Sequence, residues 1–567
     1  MKLNKIEISN FRSIKKGSFV VDKIIGIVGQ NNSGKTAVLR ALNSFFNPNI
    51  ELQHFISGVN LYSNNSAVPQ IIAKFQNIPD KHIYSQYTAD GMLTIKQRFI
   101  KSKNKLEYYI LKNGKFETAP ETLIKEFNRD IQYILIPADR NLNLNNENSL
   151  LKELLHLFFI NHTSKRDTLT PKVKDAFDYL NKNALKKVAQ GIEGRYLTNK
   201  GFNVSISSNT QVSYELLLSG LEIFINEDGK EFNLNDCGSG VQSLVAIAIY
   251  RYSAELKLKS FIIGLEEPET NLHPQGQKEL MFSLLEQLNS SFIQVLFTTH
   301  STVLVDQLDH TDIILVRKIE DDLRSFKTKL VQLRKNFWTY YDLEKIQYDK
   351  FHKFCNSEFF FANHVIVTES PIDSNIINKL CELNNISLER KGVSIVELDG
   401  IKNLKYAFHL LKELEIPKTL IVDKDFFFEY QNGDKEKSRY QSGFFNYRND
   451  FRNEPLIQEI IKDKSAKNQL EALLTNNHSK ALDILEKFEM ISFKYNLEMD
   501  LIASKVAQDI LYNEFNIDPT KRNTFEILVN HKKAIKKIDT LFHIINNLPK
   551  KNLPNSYKRL LKRFSDI

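Results

Sequence analysis

At 567 residues the chain is longer than a single hydrophobic core normally supports, so roughly two to four domains are expected, and 42% hydrophobic residues is ordinary for folded domains. The net charge of +9 resides from Lys521 onward, where twelve Lys/Arg face three acids (Glu526, Asp539 and Asp566), a surface that is either a solvated helical face or a contact for a phosphate backbone. No apolar run is long enough to span a membrane, the N-terminus alternates like a strand, and three scattered cysteines (Cys237, Cys355 and Cys381) support neither a disulfide framework nor a zinc ribbon, so a cytoplasmic protein without a membrane partner is expected.

Taken in order, Leu3 to Phe11 and Gly17 to Val21 read as strands leading to the apolar run Ile24, Ile25, Ile27 and Val28. The next eight residues, GQNNSGKT, fit G-x-x-x-x-G-K-[ST] and precede a helical pattern. In a P-loop of this kind Gly29 and Gly34 let the backbone turn, and Asn31, Asn32 and Ser33 present amides to a phosphate chain. Lys35 reaches the β/γ oxygens and Thr36 the Mg²⁺, which makes ATP the expected cofactor. Phe55 to Phe127 mixes alternating runs with Asn/Gly/Asp turns and reads as a β-rich lobe. Ser149 to Gly191 is helical in pattern, with a second segment beginning near Pro171; such an insertion is either a satellite on its own domain or a dimerisation arm.

The turn DCGSG opens a long apolar helix and places Ser239 and Gly240 at its N-terminus, where they would meet the γ-phosphate of a nucleotide held by another subunit. Shortly after, the strand Phe261 to Leu265 delivers two carboxylates: Glu266 for the Mg²⁺ shell and Glu267 to orient or deprotonate the attacking water. A further apolar strand, Ile293 to Thr298, ends in Thr299-His300-Ser301, with His300 placed to sense the γ-phosphate. With these four motifs, residues 1 to about 320 resemble the ABC-type ATPase heads of the SMC and recombination-repair group, without their long coiled coil. Glu266 stands where most such ATPases carry Asp, which bears on the rate of hydrolysis.

The second half has different chemistry. The strand Asn363 to Thr368 ends at Glu369 with Asp373 four residues on, and Lys418 to Val422 ends in Asp423-Lys-Asp425. Acids at the C-terminal ends of parallel strands lie where an α/β sheet places its ligands, and hard oxygen ligands suit Mg²⁺ or Mn²⁺.

The pattern E-x-x-x-D, a strand-helix unit, then D-x-D resembles the Toprim fold. The words LEEPETNLHP, VTESPID, VELDGIKNL, ELEIPKTLIVDKD and YNLEMDL are similar to the OLD (overcoming lysogenization defect) family, in which an ABC-type ATPase is joined to a C-terminal Toprim nuclease, as in Gabija-type antiphage nuclease subunits. Ser370 departs from the glycine usual after the Toprim glutamate.

The resemblance implies one metal on Glu369 and Asp373 with help from Glu498 and Asp500, a second on Asp423 and Asp425, and a lysine facing the scissile phosphate, Lys532 or Lys533 by spacing. It implies an α/β chain: ATPase residues 1–148 and 201–345 around a helical insertion at 149–200, a Toprim domain at 346–515 and a basic helical region at 516–567. It also implies DNA as substrate, two Mg²⁺ (or Mn²⁺) in the Toprim site and one with ATP, a homodimer or higher homo-oligomer, and room for a second defence component, a helicase-like protein or a retron reverse transcriptase with its DNA or RNA. The alternative function is an ATP-dependent DNA-binding sensor or clamp whose Toprim module only recruits a partner.

Overall fold

The computed structural model describes residues 1–63, 68–138, 162–192, 223–227, 229–237, 260–287, 293–322, 324–344 and 356–567, with a few single residues in 155–159 and 241–252. The chain divides into two compact units: Met1–Ile27 with Asn32–Gln307 and Val316–Leu330, and Val28–Asn31 with Leu308–Leu315 and Val331–Ile567.

The N-terminal part opens with strands β1 (Lys2–Phe11), β2 (Ile14–Val20) and β3 (Ile24–Val28), followed by helix α1 (Lys35–Phe46). In β1 the side chains of Leu3, Ile6, Ile8 and Phe11 are buried and most of their neighbours half-exposed, as a strand covered on one face requires. β3 is buried at every position, which its unbroken apolar run dictates for a strand covered on both faces. Strands β4 (Gln70–Gln76), β5 (Met92–Ile100), β6 (Lys105–Lys112) and β7 (Lys115–Thr118) complete an antiparallel sheet in the order β2-β1-β4-β5-β6-β7, with Thr88–Ala89 added beside β5. This is the β-rich lobe expected from the alternating runs. Asn113 and Gly114, both at positive φ, make the two-residue hairpin between β6 and β7.

A second sheet holds β8 (Ile131–Ile136), β9 (Ser260–Glu266), β10 (Ile293–Thr299), β11 (Ile313–Ile319) and β12 (Lys327–Gln332) in the order β12-β11-β3-β10-β9-β8. β8, β9 and β10 run parallel, so their C-terminal ends lie along one edge with the motif residues they deliver. Between β8 and β9 in the chain, helix α2 (Thr163–Leu180) departs from the sequence expectation: it runs through Pro171 instead of restarting there. The proline removes one amide bond, and the hydroxyls of Thr168 and Thr170 donate to the carbonyls of Ser164 and Arg166 in the turns beside it. Tyr179, Leu180 and Val188 are exposed on this segment.

The C-terminal unit is built on strands β13 (His364–Thr368), β14 (Val393–Glu397), β15 (Lys418–Val422) and β18 (Met490–Ser492), all parallel in the order β14-β13-β15-β18. Helix α3 (Pro371–Leu383) follows β13 and α4 (Leu404–Glu413) follows β14; a short antiparallel hairpin, β16 (Phe428–Tyr430) and β17 (Tyr447–Phe451), is inserted after β15. Helix α5 (Leu497–Ile502) follows β18, and α6 (Asn555–Asp566) ends the chain. Residues 516–567 lie within this same unit. Tyr557, Leu560, Leu561 and Phe564 of α6 are buried at helical spacing, Tyr557 Oη donates to the Leu497 carbonyl at 2.9 Å, and Arg559 pairs with Asp483 and Glu486. Part of the basic excess is therefore structural. Among the described residues no helix is long and apolar enough to cross a membrane, and Cys237 and Cys381 are free thiols, the latter buried.

Candidate nucleotide and metal sites

The P-loop follows β3 as the motif requires. Gly29 lies at φ 153, Asn32 at φ 57 and Gly34 at φ 106, and a Cβ on Gly34 would meet Thr328 Oγ1 at 2.2 Å, so only glycine fits there. α1 begins at the next residue without a side-chain cap, the arrangement of a helix N-terminus suited to an anion. Lys35 is 5% exposed; burial lowers its pKa to about 8, opposed by the nearby charges of Glu267 and Glu269.

Glu266, the last residue of β9, is buried and 3.8 Å from Arg40 Nε; burial raises its pKa and Arg40 opposes the rise. Glu267 adopts φ 44, and its amide donates to the carbonyl and Oγ1 of Thr298 at 3.0 and 3.1 Å. This brings its Oε1 to 3.6 Å from His300 Nε2. Burial and the charge of Lys35 lower the His300 pKa, so Lys35, Glu267 and His300 share one field. Sequence reasoning missed Glu269: its Oε1 accepts from Thr299 Oγ1 at 2.8 Å and His300 N at 2.7 Å, fixing the loop that carries the histidine. Its signal was the acid of P-E-T, the third in LEEPETNLHP. Ser239 and Gly240 lie outside the described residues.

In the C-terminal sheet β13 and β15 are parallel neighbours in the register Val365 to Lys418, Ile366 to Thr419 and Val367 to Leu420. Carrying that register forward puts Glu369 across from Val422, one residue before Asp423. The outcome is a triad: ligand oxygens of Glu369, Asp423 and Asp425 all lie within 4.8 Å of one another. Glu369 Oε2 is buried without a hydrogen-bond partner. Gly400, at φ 104, turns the chain so that the Ile401 amide reaches the Glu369 carboxylate. Burial, then the charges of Asp425 and Asp373, raise the Glu369 pKa to about 7; burial and Asp425 push Asp423 well upward. A half-buried carboxylate cluster with one buried, unpartnered oxygen fits a hard divalent cation, which would discharge the mutual repulsion.

The remaining expected ligands are placed differently. Asp373 closes the capping box of α3: its Oδ2 accepts from the Ser370 amide at 2.9 Å and hydroxyl at 3.0 Å. Ser370 is thus the N-cap, with φ −141, and this turn needs no glycine. Burial raises the Asp373 pKa to about 6, with Glu498 and Glu397 adding to the rise. Glu498 is also in the field of Asp423, so it faces the cluster.

Asp500 departs from its expected ligand role. It is 3% exposed, and its oxygens accept from Lys494 N, Tyr495 N and Ser556 Oγ at 2.8, 2.9 and 2.7 Å, stapling the loop before α5 to α6. The expected lysines depart as well: Lys532 is paired with Glu436 and Lys533 is exposed, while Lys536 Nζ lies 3.7 Å from Glu498 Oε1. Lys435, in the β16–β17 hairpin, acts electrostatically on Glu369. Sequence reasoning also missed Glu397 at the end of β14, which accepts from Ser374 Oγ, and Tyr430, which donates to Asp425.

Two family descriptions match this chain: "AAA domain, putative AbiEii toxin, Type IV TA system" over residues 24–306, and "Overcoming lysogenization defect protein-like, TOPRIM domain" over residues 360–425. The chain is 24% identical over 460 residues to Endonuclease GajA of Bacillus cereus (strain VD045), covering 75% of each chain. It is 23% identical over 473 residues to Old nuclease of Escherichia phage P2, covering 75% of this chain and 78% of that protein. Among solved structures, the SMC head bound to the C-winged helix domain of ScpA matches with a TM-score of 0.39 and 17% identity, over 60% of this chain and 100% of that one. With a nucleotide motif set on the first part and a Toprim-matched acidic triad on the second, the chain is similar to the OLD family, in which an ABC-type ATPase is joined to a Toprim nuclease domain.

Proposed function

We propose that this chain is a metal-dependent DNA endonuclease regulated by ATP, acting in antiphage defence. The observation that carries the reading is the triad of Glu369, Asp423 and Asp425 with the buried, unpartnered Glu369 Oε2. These three would hold one Mg²⁺ or Mn²⁺, and Asp373 with Glu498 would help hold a second. Such ions would supply Lewis-acid polarisation of the phosphodiester and of the attacking water. Glu369 then presents its carboxylate ionised, since a cation favours the charged form of a group otherwise titrating near 7. Lys536, held by Glu498, is the lysine best placed to steady the scissile phosphate, in preference to Lys532 and Lys533.

In the ATPase part Lys35 and Thr36 bind the phosphates and Mg²⁺, Glu266 completes the ion's shell, and Glu267 with His300 attends the γ-phosphate. Ser239 and Gly240 serve a nucleotide presented by a second copy, which calls for a homodimer at least, with the insertion at 149–200 as the candidate arm. Phosphodiester hydrolysis is downhill, so ATP need only favour one conformation over another to gate it.

The test is nicking of supercoiled plasmid by the purified chain with Mg²⁺ or Mn²⁺, without nucleotide, with ATP and with a non-hydrolysable analogue. Cleavage that stops in chelator and responds to nucleotide is expected. Lys536→Ala should slow it about ten- to a hundredfold, consistent with loss of a charged hydrogen bond, and Lys532→Ala should cut near the parental rate. No cleavage under any condition would favour the sensor or clamp reading.

A further inference from the structure

Asp425 is gripped by the hairpin inserted after its own strand, and the metal chemistry above makes no use of that grip. Tyr430, the last residue of β16, donates its phenolic proton to Asp425 Oδ2 at 2.7 Å. From the other strand Arg452, one residue past β17, donates to the Asp425 carbonyl at 2.9 Å, and its amide donates to the Phe427 carbonyl at 2.7 Å. Side chain and backbone of one acid are thus held by both strands of one hairpin.

Tyr430 is itself fixed. Its ring stacks on Tyr447 at 5.0 Å and 26°, and meets Phe445 edge-on at 5.5 Å. Tyr447 is buried, and its hydroxyl lies in the field of the Tyr430 phenol. A phenol has one proton, and Tyr430 gives it to Asp425.

We infer that Tyr430 is a positioning residue that makes Asp425 a one-oxygen ligand and thereby sets the preference of the triad for Mg²⁺ over Ca²⁺. With Oδ2 engaged by the phenol, Oδ1 is the oxygen left for a cation. Mg²⁺ takes six ligands at short distance and suits one oxygen per carboxylate, whereas Ca²⁺ takes six to eight and often binds both oxygens. Donors that orient a ligand in this way are typically worth about 10- to 100-fold in metal affinity. The inference rests on the metal-site reading above and adds the residue that tunes it.

Tyr430→Phe keeps the ring and its stacking and deletes the donor. The experiment is calorimetric titration of the full chain, without DNA, with Mg²⁺ and with Ca²⁺, and with thermal melting in chelator as the check on folding. The expected result is a parental melt with the ratio of Mg²⁺ to Ca²⁺ affinity lowered about tenfold or more. Tyr447→Phe, which removes only the outer hydroxyl, should shift the ratio in the same direction by less, and decides the matter if Tyr430→Phe melts early. A folded Tyr430→Phe with the parental ratio would overturn the inference and leave the metal site standing. A parent that binds neither cation would overturn the metal-site reading and this inference with it.

Discussion

Replacing Glu369 by alanine, or Asp423 and Asp425 together, should leave a folded, nucleotide-binding protein that cuts DNA at least about a thousandfold more slowly, a loss of several kcal/mol of electrostatic stabilisation. The three carboxylates converge because β13 and β15 are adjacent and in register at their C-terminal ends. Water, a neutral ligand, cannot replace the charge of a carboxylate there.

Stability should move the other way. The Glu369 pKa is raised in the folded state to about 7, above its ordinary value of 4.5, so the native state binds more protons than the unfolded chain between those values. In chelator, stability therefore falls as pH rises from about 4.5 to about 7, by an amount on the order of 1–2 kcal/mol once solvent screening is allowed for. Glu369→Ala removes that charge, so at pH 8 in chelator it should melt no earlier than the parent. Initial rates on plasmid at saturating Mn²⁺, with melting curves at pH 5 and 8, check both halves. Variants that cut at the parental rate would place the chemistry elsewhere.

The second large effect belongs to the P-loop. Lys35→Ala should weaken ATP binding about ten- to a hundredfold, because a charged hydrogen bond of roughly 1.5–3 kcal/mol to the β/γ oxygens is lost. Lys35 is buried and carries a lowered pKa, a setting in which a polyphosphate is the natural counter-charge. Since Gly34 tolerates no side chain, the loop backbone should survive the change and isolate the ammonium's contribution. Calorimetry with ATP reads it directly, and parental affinity would refute the P-loop assignment. The dependence of plasmid cleavage on ATP should vanish in the same variant.

Much of the site was legible because β-branched apolar runs announce buried strands, and an acid directly after such a run has one place to go. Glu369, Asp423, Glu266 and Glu267 all follow that logic. Asp425 follows too, two residues beyond its strand. Pairing across long chain separations was not legible. The family resemblance implied Asp500 as a ligand, yet a partner is Ser556, 56 positions on, and Lys532 is paired with Glu436, 96 positions back. Spacing cannot separate Lys532 from Lys536 when four lysines share one short run. Tyr430 was invisible for another reason: an aromatic residue in a hairpin reads as packing, and only the 2.7 Å approach to Asp425 gives it a chemical role. The strand orders of the sheets, and the persistence of α2 through Pro171, likewise depend on neighbours that no local window contains.

The central claim, that Glu369, Asp423 and Asp425 form a divalent-cation site, is tested most directly by anomalous diffraction from crystals of the full chain grown with Mn²⁺. An anomalous peak within coordination distance of all three carboxylates is the predicted result. A peak on Asp500, or full Mn²⁺ loading of the protein with no peak at the triad, would contradict it.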